Sequence, residues 1–139
     1  MRNKKLIILF ILYLLIPSIL SSKNKSYFRS AVEHLNKKRI NLAIKEFKLD
    51  LKNNPENINS HCGLAIAYIR KKNYNLAKET LESALKSKLE NALLFYLLGK
   101  IYEHKKENKN AIQCFEKALS LTTDKKFKEK IRMKLNKIK

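Results

Sequence analysis

Three histidines, two cysteines and an excess of lysine are the groups in this chain that could do chemistry. His34, His61 and His104 could ligate a metal or move a proton, and Cys62 or Cys114 could act as a nucleophile. Each use needs partners at a set spacing. No two histidines sit at the separation of a helical metal site, and no cluster of cysteine or aspartate supports them. Nothing pairs a cysteine with a histidine as nucleophile and base. The chain has no glycine-rich phosphate loop and no nucleophile elbow. Enzymatic activity, a resident metal and a cofactor are therefore not expected. Two cysteines cannot staple a small fold, so free thiols, buried or half-buried, are the expected state.

Charge is the remaining chemistry. The 139 residues carry 31 Lys and Arg against 12 Asp and Glu, a formal net charge of +19. Such a balance attracts polyanions without choosing among them. Lysine and asparagine dominate the polar residues, so part of the excess reads equally well as compositional habit.

Positioning comes from a period of 34 residues. Ala43, Ala77 and Ala111 are one period apart, as are Phe47, Leu81 and Phe115, and Leu51, Leu85 and Leu119. His34, Tyr68 and Tyr102 share another position, and Ala31, Ala65 and Gly99 a third. Two glycines and two prolines leave little linker composition, and apolar spacing is helical throughout. Helices are expected at Ser26 to Lys37, Ile40 to Lys52, Asn59 to Arg70, Tyr74 to Lys86, Ala92 to His104 and Asn108 to Leu121. Small residues on the facing helices allow close approach, and the large residues at 47, 81 and 115 are expected to fill the groove between one repeat and the next. One helix pair cannot bury its apolar face alone, so neighbours must stack.

A gapless 34-residue unit of two amphipathic helices resembles the tetratricopeptide repeat. The resemblance implies an all-α fold, an α-solenoid of three helix-turn-helix repeats over 24–57, 58–91 and 92–125, and a basic capping helix over 125–139. His34 and His61 fall where that family places core aromatics, so packed structural histidines are expected there. Repeat one departs most: it has Asp50 where Ala84 and Ala118 stand. Its Pro55 is matched by Leu89 and Thr123.

Carried over residue by residue, the family's groove positions are Phe28, Val32 and Leu35, then Cys62, Ile66, Ile69 and Arg70, then Leu93, Tyr96, Lys100 and His104. One branch of the family clamps the C-terminal carboxylate of heat-shock chaperones with lysine and asparagine at such places. Most of these positions are apolar here, which speaks against that clamp. A groove rimmed by Arg70 and Lys100 suits an amphipathic helix or extended segment with acidic residues.

In the last segment Phe127, Ile131, Leu135 and Ile138 make one apolar face. Lys125, Lys126, Lys128, Lys130, Arg132 and Lys134 crowd the rest, a candidate anion-binding surface as well as the solvent side of a cap.

The first 22 residues read as an address. Arg2, Lys4 and Lys5 precede an apolar run from Leu6 to Ile16, broken by Pro17 and followed by polar Lys23, Asn24 and Lys25. A cleaved export signal and an uncleaved anchor over 6–20 both fit, and both put the repeats outside the cytoplasmic membrane, in the periplasm or cell envelope. The functional expectation is a non-enzymatic adaptor that holds a segment of another protein. The alternative is a basic surface that binds anionic lipid, cell-wall polymer or another polyanion, nucleic acid being the weakest of these for an exported chain. Self-assembly of the array is a third reading.

Overall fold

A computed structural model of the chain describes residues 27–138 together with Ile8, Ile11 and Tyr13. Apart from those three, the expected leader over 1–22 lies outside the described residues. Among the described residues no helix is long and apolar enough to cross a membrane.

Seven helices follow one another over 27–138: α1 (27–36), α2 (Ile40–Asn53), α3 (Ile58–Arg70), α4 (Tyr74–Lys86), α5 (Ala92–His104), α6 (Asn108–Leu121) and α7 (Lys125–Ile138). Side-chain caps mark several starts. Asn57, Asn73 and Asn91 accept from the backbone N–H of Ser60, Leu76 and Leu94 at 3.4, 3.2 and 2.7 Å, and Asp124 accepts from Phe127 N–H at 2.7 Å. Each cap satisfies one of the donors that a helix start leaves unpaired.

The turn inside each pair is the same device three times. Lys38, Lys72 and Lys106 take left-handed backbone, with φ of 59°, 61° and 60°. The next residue's N–H then reaches back into the helix: Arg39 to the His34 carbonyl at 2.8 Å, Asn73 to Tyr68 and Glu107 to Tyr102 at 2.9 Å. This is the doubled-back C-terminus that a left-handed residue permits.

α3 packs on α2, α4 and α5, and α4 also touches α5, whereas the second helices of successive pairs do not pack closely on one another. The first helices therefore form the inner row and the second helices the outer, splayed row of a curved solenoid.

Packing in the rows follows the small residues. Ala31, Ala43, Ala65, Ala77 and Ala111 are fully buried, as are Phe47, Leu81 and Phe115. The glycines earn their place by close approach: a methyl on Gly99 would lie 2.6 Å from the Phe115 ring, and one on Gly63 would overlap the Phe47 ring. Phe47 thus fills the space toward the next repeat, as expected. Phe115 likewise faces the next element, Ile131 and Leu135 of α7, and it also packs within its own pair, against Gly99 and at 5.7 Å from the Tyr96 ring.

Two apolar clusters result. One joins the first two pairs to Leu94, Leu97, Leu98 and Ile101 of α5. The other sets Tyr96 with Ala111, Phe115 and Ala118 against Ile131 and Leu135 of α7. α5 is the wall between them.

Asp50, standing where the other repeats have alanine, is buried and accepts from Asn57 Nδ2 at 2.7 Å and Ser60 Oγ at 2.5 Å. His61 is also buried, with Nε2 2.8 Å from the Pro55 carbonyl oxygen. His34 is half-buried, its Nδ1 enclosed without a hydrogen-bond partner. Both histidines are packed structural side chains.

Candidate functional site

The inner row presents a hollow of about 260 Å³ where α3, α5 and α7 converge, lined by Ile69, Tyr74, Lys100, Ile101, Glu103, His104 and Lys134. The repeat brings these side chains together: Lys100, Glu103 and His104 are on successive turns of one face of α5. Lys134 arrives from α7, half-buried, with Nζ donating to both oxygens of Glu103 at 3.0 and 2.8 Å. His104 stacks on Tyr74 with ring centroids 3.8 Å apart and 22° between planes. That stack ties the second pair to the third.

Lys100 is the group without a matching charge. It is half-buried, and among the described residues no carboxylate is in ion-pair reach of it. Burial lowers its pKa below the ordinary lysine value, Lys134 and Lys130 lower it further, and Glu103 acts in the opposite direction. A cation already committed to Glu103 stands beside one that is not. The hollow can take an anionic group at Lys100 over a floor of Ile69 and Ile101.

The eleven groove positions expected from the sequence divide. Val32, Ile66, Ile69, Leu93 and Lys100 are half-buried, and Arg70 and His104 are exposed. Arg70 donates from Nη1 to the Leu35 carbonyl at 2.6 Å and so bridges the first two pairs. Phe28 packs on Phe47 with centroids 6.1 Å apart. Leu35, Cys62 and Tyr96 are corrections: each is buried and cannot line an open face. Tyr96 is covered by α7, with the Phe127 ring 5.2 Å away and the Lys130 ammonium 5.1 Å from its centroid. Burial pushes the Cys62 thiol up to about 12 and the Cys114 thiol up to about 11, so both are held protonated.

The six basic positions of α7 do not form one patch. Lys134 turns inward onto Glu103 of α5, Lys130 is exposed with its ammonium over the Tyr96 ring, and Lys128 is half-buried. Lys125, Lys126 and Arg132 are exposed, with Arg132 4.0 Å from Glu129. Sequence reasoning missed Glu103 and Tyr74. Glu103 was in reach, because it follows Leu35 and Ile69 at the same 34-residue step.

Comparison with known proteins places this geometry. The family described as "Domain of unknown function (DUF7017)" matches residues 61–138, more than half of the chain. No curated protein matches it. Among solved structures, the MamA protein superposes with a TM-score of 0.70 at 22% identity, over 85% of this chain and 63% of that one. The chain thus spans less than two thirds of that structure's length. The first TPR of Spaghetti (RPAP3) bound to the HSP90 peptide SRMEEVD gives 0.75 at 18% identity, over 85% and 91% of the two chains. YrrB, a TPR protein with an unusual peptide-binding site, gives 0.69 at 22%, over 81% and 56%. At these identities the likeness is one of fold. The chain belongs to the family described as domain of unknown function DUF7017, and its fold is that of the tetratricopeptide-repeat proteins.

Proposed function

We propose that the chain is a non-enzymatic adaptor that holds a segment of a partner protein along its inner row, with an acidic side chain of that segment seated at Lys100. The observation that carries this reading is the half-buried Lys100, flanked by Lys130 and Lys134 and left without a carboxylate of its own. A half-buried cation is costly unless something pairs with it. Its surroundings are apolar enough to grip a side chain and charged enough to orient it. Peptide binding by the RPAP3 and YrrB structures supports the same use of the fold. We place the adaptor outside the cytoplasmic membrane, on the strength of the basic start and the apolar run from Leu6 to Ile16.

The test is capture of partners from source cells by the full chain in mild detergent, beside the variants Lys100→Glu and Ile69→Asp. A defined protein retained by the native chain at about 0.5 M salt, where the Debye length is under about 5 Å, and lost from both variants would support the site. Retention by both variants would place the interaction elsewhere.

A further inference from the structure

The lysine excess is not spread evenly over the solenoid. Stacked helix pairs have two edges: one made by the turns inside each pair, the other by the connections between pairs. The intra-pair turns, residues 37–41, 71–75 and 105–109, hold eight basic residues and one acidic residue, Glu107. The opposite edge, residues 53–57, 86–91 and 121–124, has the same number of positions but two basic and three acidic residues. Compositional habit alone would load both edges.

Four lysines stand where the backbone least favours a side chain: three on this edge, and Lys88, at φ 58°, in the connection between α4 and α5 on the other. Lys38, Lys72 and Lys106 are the left-handed residues at the apex of the three turns, positions that glycine takes without strain. Each is exposed, and among the described residues no carboxylate is in ion-pair reach of any of them. The neighbouring lysines have a different task. Lys71 donates to Asn41 Oδ1 at 2.9 Å and Lys105 to Asn75 Oδ1 at 3.1 Å, lacing each turn to the one before. The apex lysines are therefore held in a row on a fixed scaffold.

Leucine accompanies them. Leu42 and Leu76, one period apart in the first turns of α2 and α4, are 46% and 39% exposed. Helical side chains lean toward their own N-terminus, which here is the basic edge. A row of cations beside exposed leucines is the composition of a surface that lies on an anionic bilayer, where charge attracts and the apolar side chains enter the headgroup region. A soluble polyanion would have no use for the leucines.

We infer that the intra-pair turn edge, with Lys38, Lys72, Lys106, Leu42 and Leu76 at its front, docks on a membrane surface rich in anionic phospholipid. This edge adjoins the inner-row hollow at Tyr74, but none of the five residues at its front lines that hollow, so the inference does not depend on what the hollow binds.

The test is co-sedimentation of the full chain with vesicles of phosphatidylcholine, alone or with about one third phosphatidylglycerol. The apolar run before residue 22 is common to all variants, so the readout is the difference between variants on the two vesicle types. Lys38→Gly/Lys72→Gly/Lys106→Gly removes three charges and relieves three left-handed side chains, so a loss cannot be traced to a damaged turn. At about fivefold per lysine, that variant is expected to lose about a hundredfold of its partitioning to anionic vesicles, with binding to neutral ones unchanged. Leu42→Ser/Leu76→Ser is expected to weaken anionic-vesicle binding severalfold and leave binding to soluble polyphosphate as it was. Full binding by the glycine variant, with loss in Lys125→Gln/Lys126→Gln/Lys128→Gln, would move the surface to α7 and overturn the inference. Polyphosphate bound as tightly as vesicles, with the leucine variant unaffected, would overturn it in favour of a soluble polymer.

Discussion

Lys134 of α7 and Glu103 of α5 form a two-pronged ion pair, one ammonium on both carboxylate oxygens, and both side chains are less than a third exposed. The pair pins the cap across the end of the inner row. Glu103→Gln and Lys134→Met should each lower stability, and the double variant should cost less than the sum of the two. A coupling of about 1 kcal/mol by denaturant unfolding is expected. A coupling indistinguishable from zero would mean that Phe127, Ile131 and Leu135 hold α7 without help.

Asp50 and Ser60 should be energetically one unit. Ser60→Ala in the native chain leaves a buried carboxylate short of a donor and should cost about 1–3 kcal/mol. In an Asp50→Ala background the same change should be close to neutral, because the hydroxyl has already lost its acceptor. Equal costs of Ser60→Ala in the two backgrounds would show that the hydrogen bond contributes nothing.

Adjacent lysines in the second turn should answer glycine with opposite signs. Lys72 is left-handed at φ 61°, so Lys72→Gly should raise stability by about 0.5–1 kcal/mol. Lys71 has an ordinary φ of −80°, so Lys71→Gly should lower it by a similar amount and also lose the bond to Asn41. Thermal melts of the two variants decide this, and a shift of the same sign in both would refute the strain argument.

Gly99→Ala should cost about 1–3 kcal/mol through overlap with the Phe115 ring. Phe115→Leu should recover part of that loss in the Gly99→Ala background while destabilising the native chain. Melting temperatures of the four proteins of this cycle provide the check.

Stability should fall in alkaline solution through Cys62. Burial raises its thiol from the ordinary 9.0 to about 12, so the folded state keeps a proton that the unfolded chain has released. That contribution is complete below pH about 9 and is lost as pH rises toward about 12. Cys62→Ala should flatten the decline in this window, and Cys62 should react with iodoacetamide only on unfolding. Rapid alkylation of native protein at Cys62 at pH about 8 would contradict its burial.

Much of the fold was legible because one period repeats without a gap. The expected bounds of the helices at Tyr74–Lys86, Ala92–His104 and Asn108–Leu121 are those of α4, α5 and α6. What the period cannot convey is the contact of a residue with something outside its own series. Tyr96 sits at a groove position by count, but Phe127 of α7 covers it, and α7 has only part of a repeat to be aligned with. The Asp50 substitution was visible as a departure, but its answer in Ser60 and Asn57 was not, since neither is marked by its own spacing. The turn lysines hid for a different reason. In a lysine-rich chain another lysine carries no signal until its φ is known.

The wall between the two apolar clusters has a further meaning. α7 occupies the place that the first helix of another pair would take, with Ile131 and Leu135 pressed on Phe115 and Ala118. If α7 lifted away, the ridge left behind would have the shape that each pair in this solenoid offers to its successor. A second copy could then be read as the next pair, and a finite array would become a growing one. α7 covers that ridge with its apolar face and turns Lys125, Lys126 and Arg132 outward.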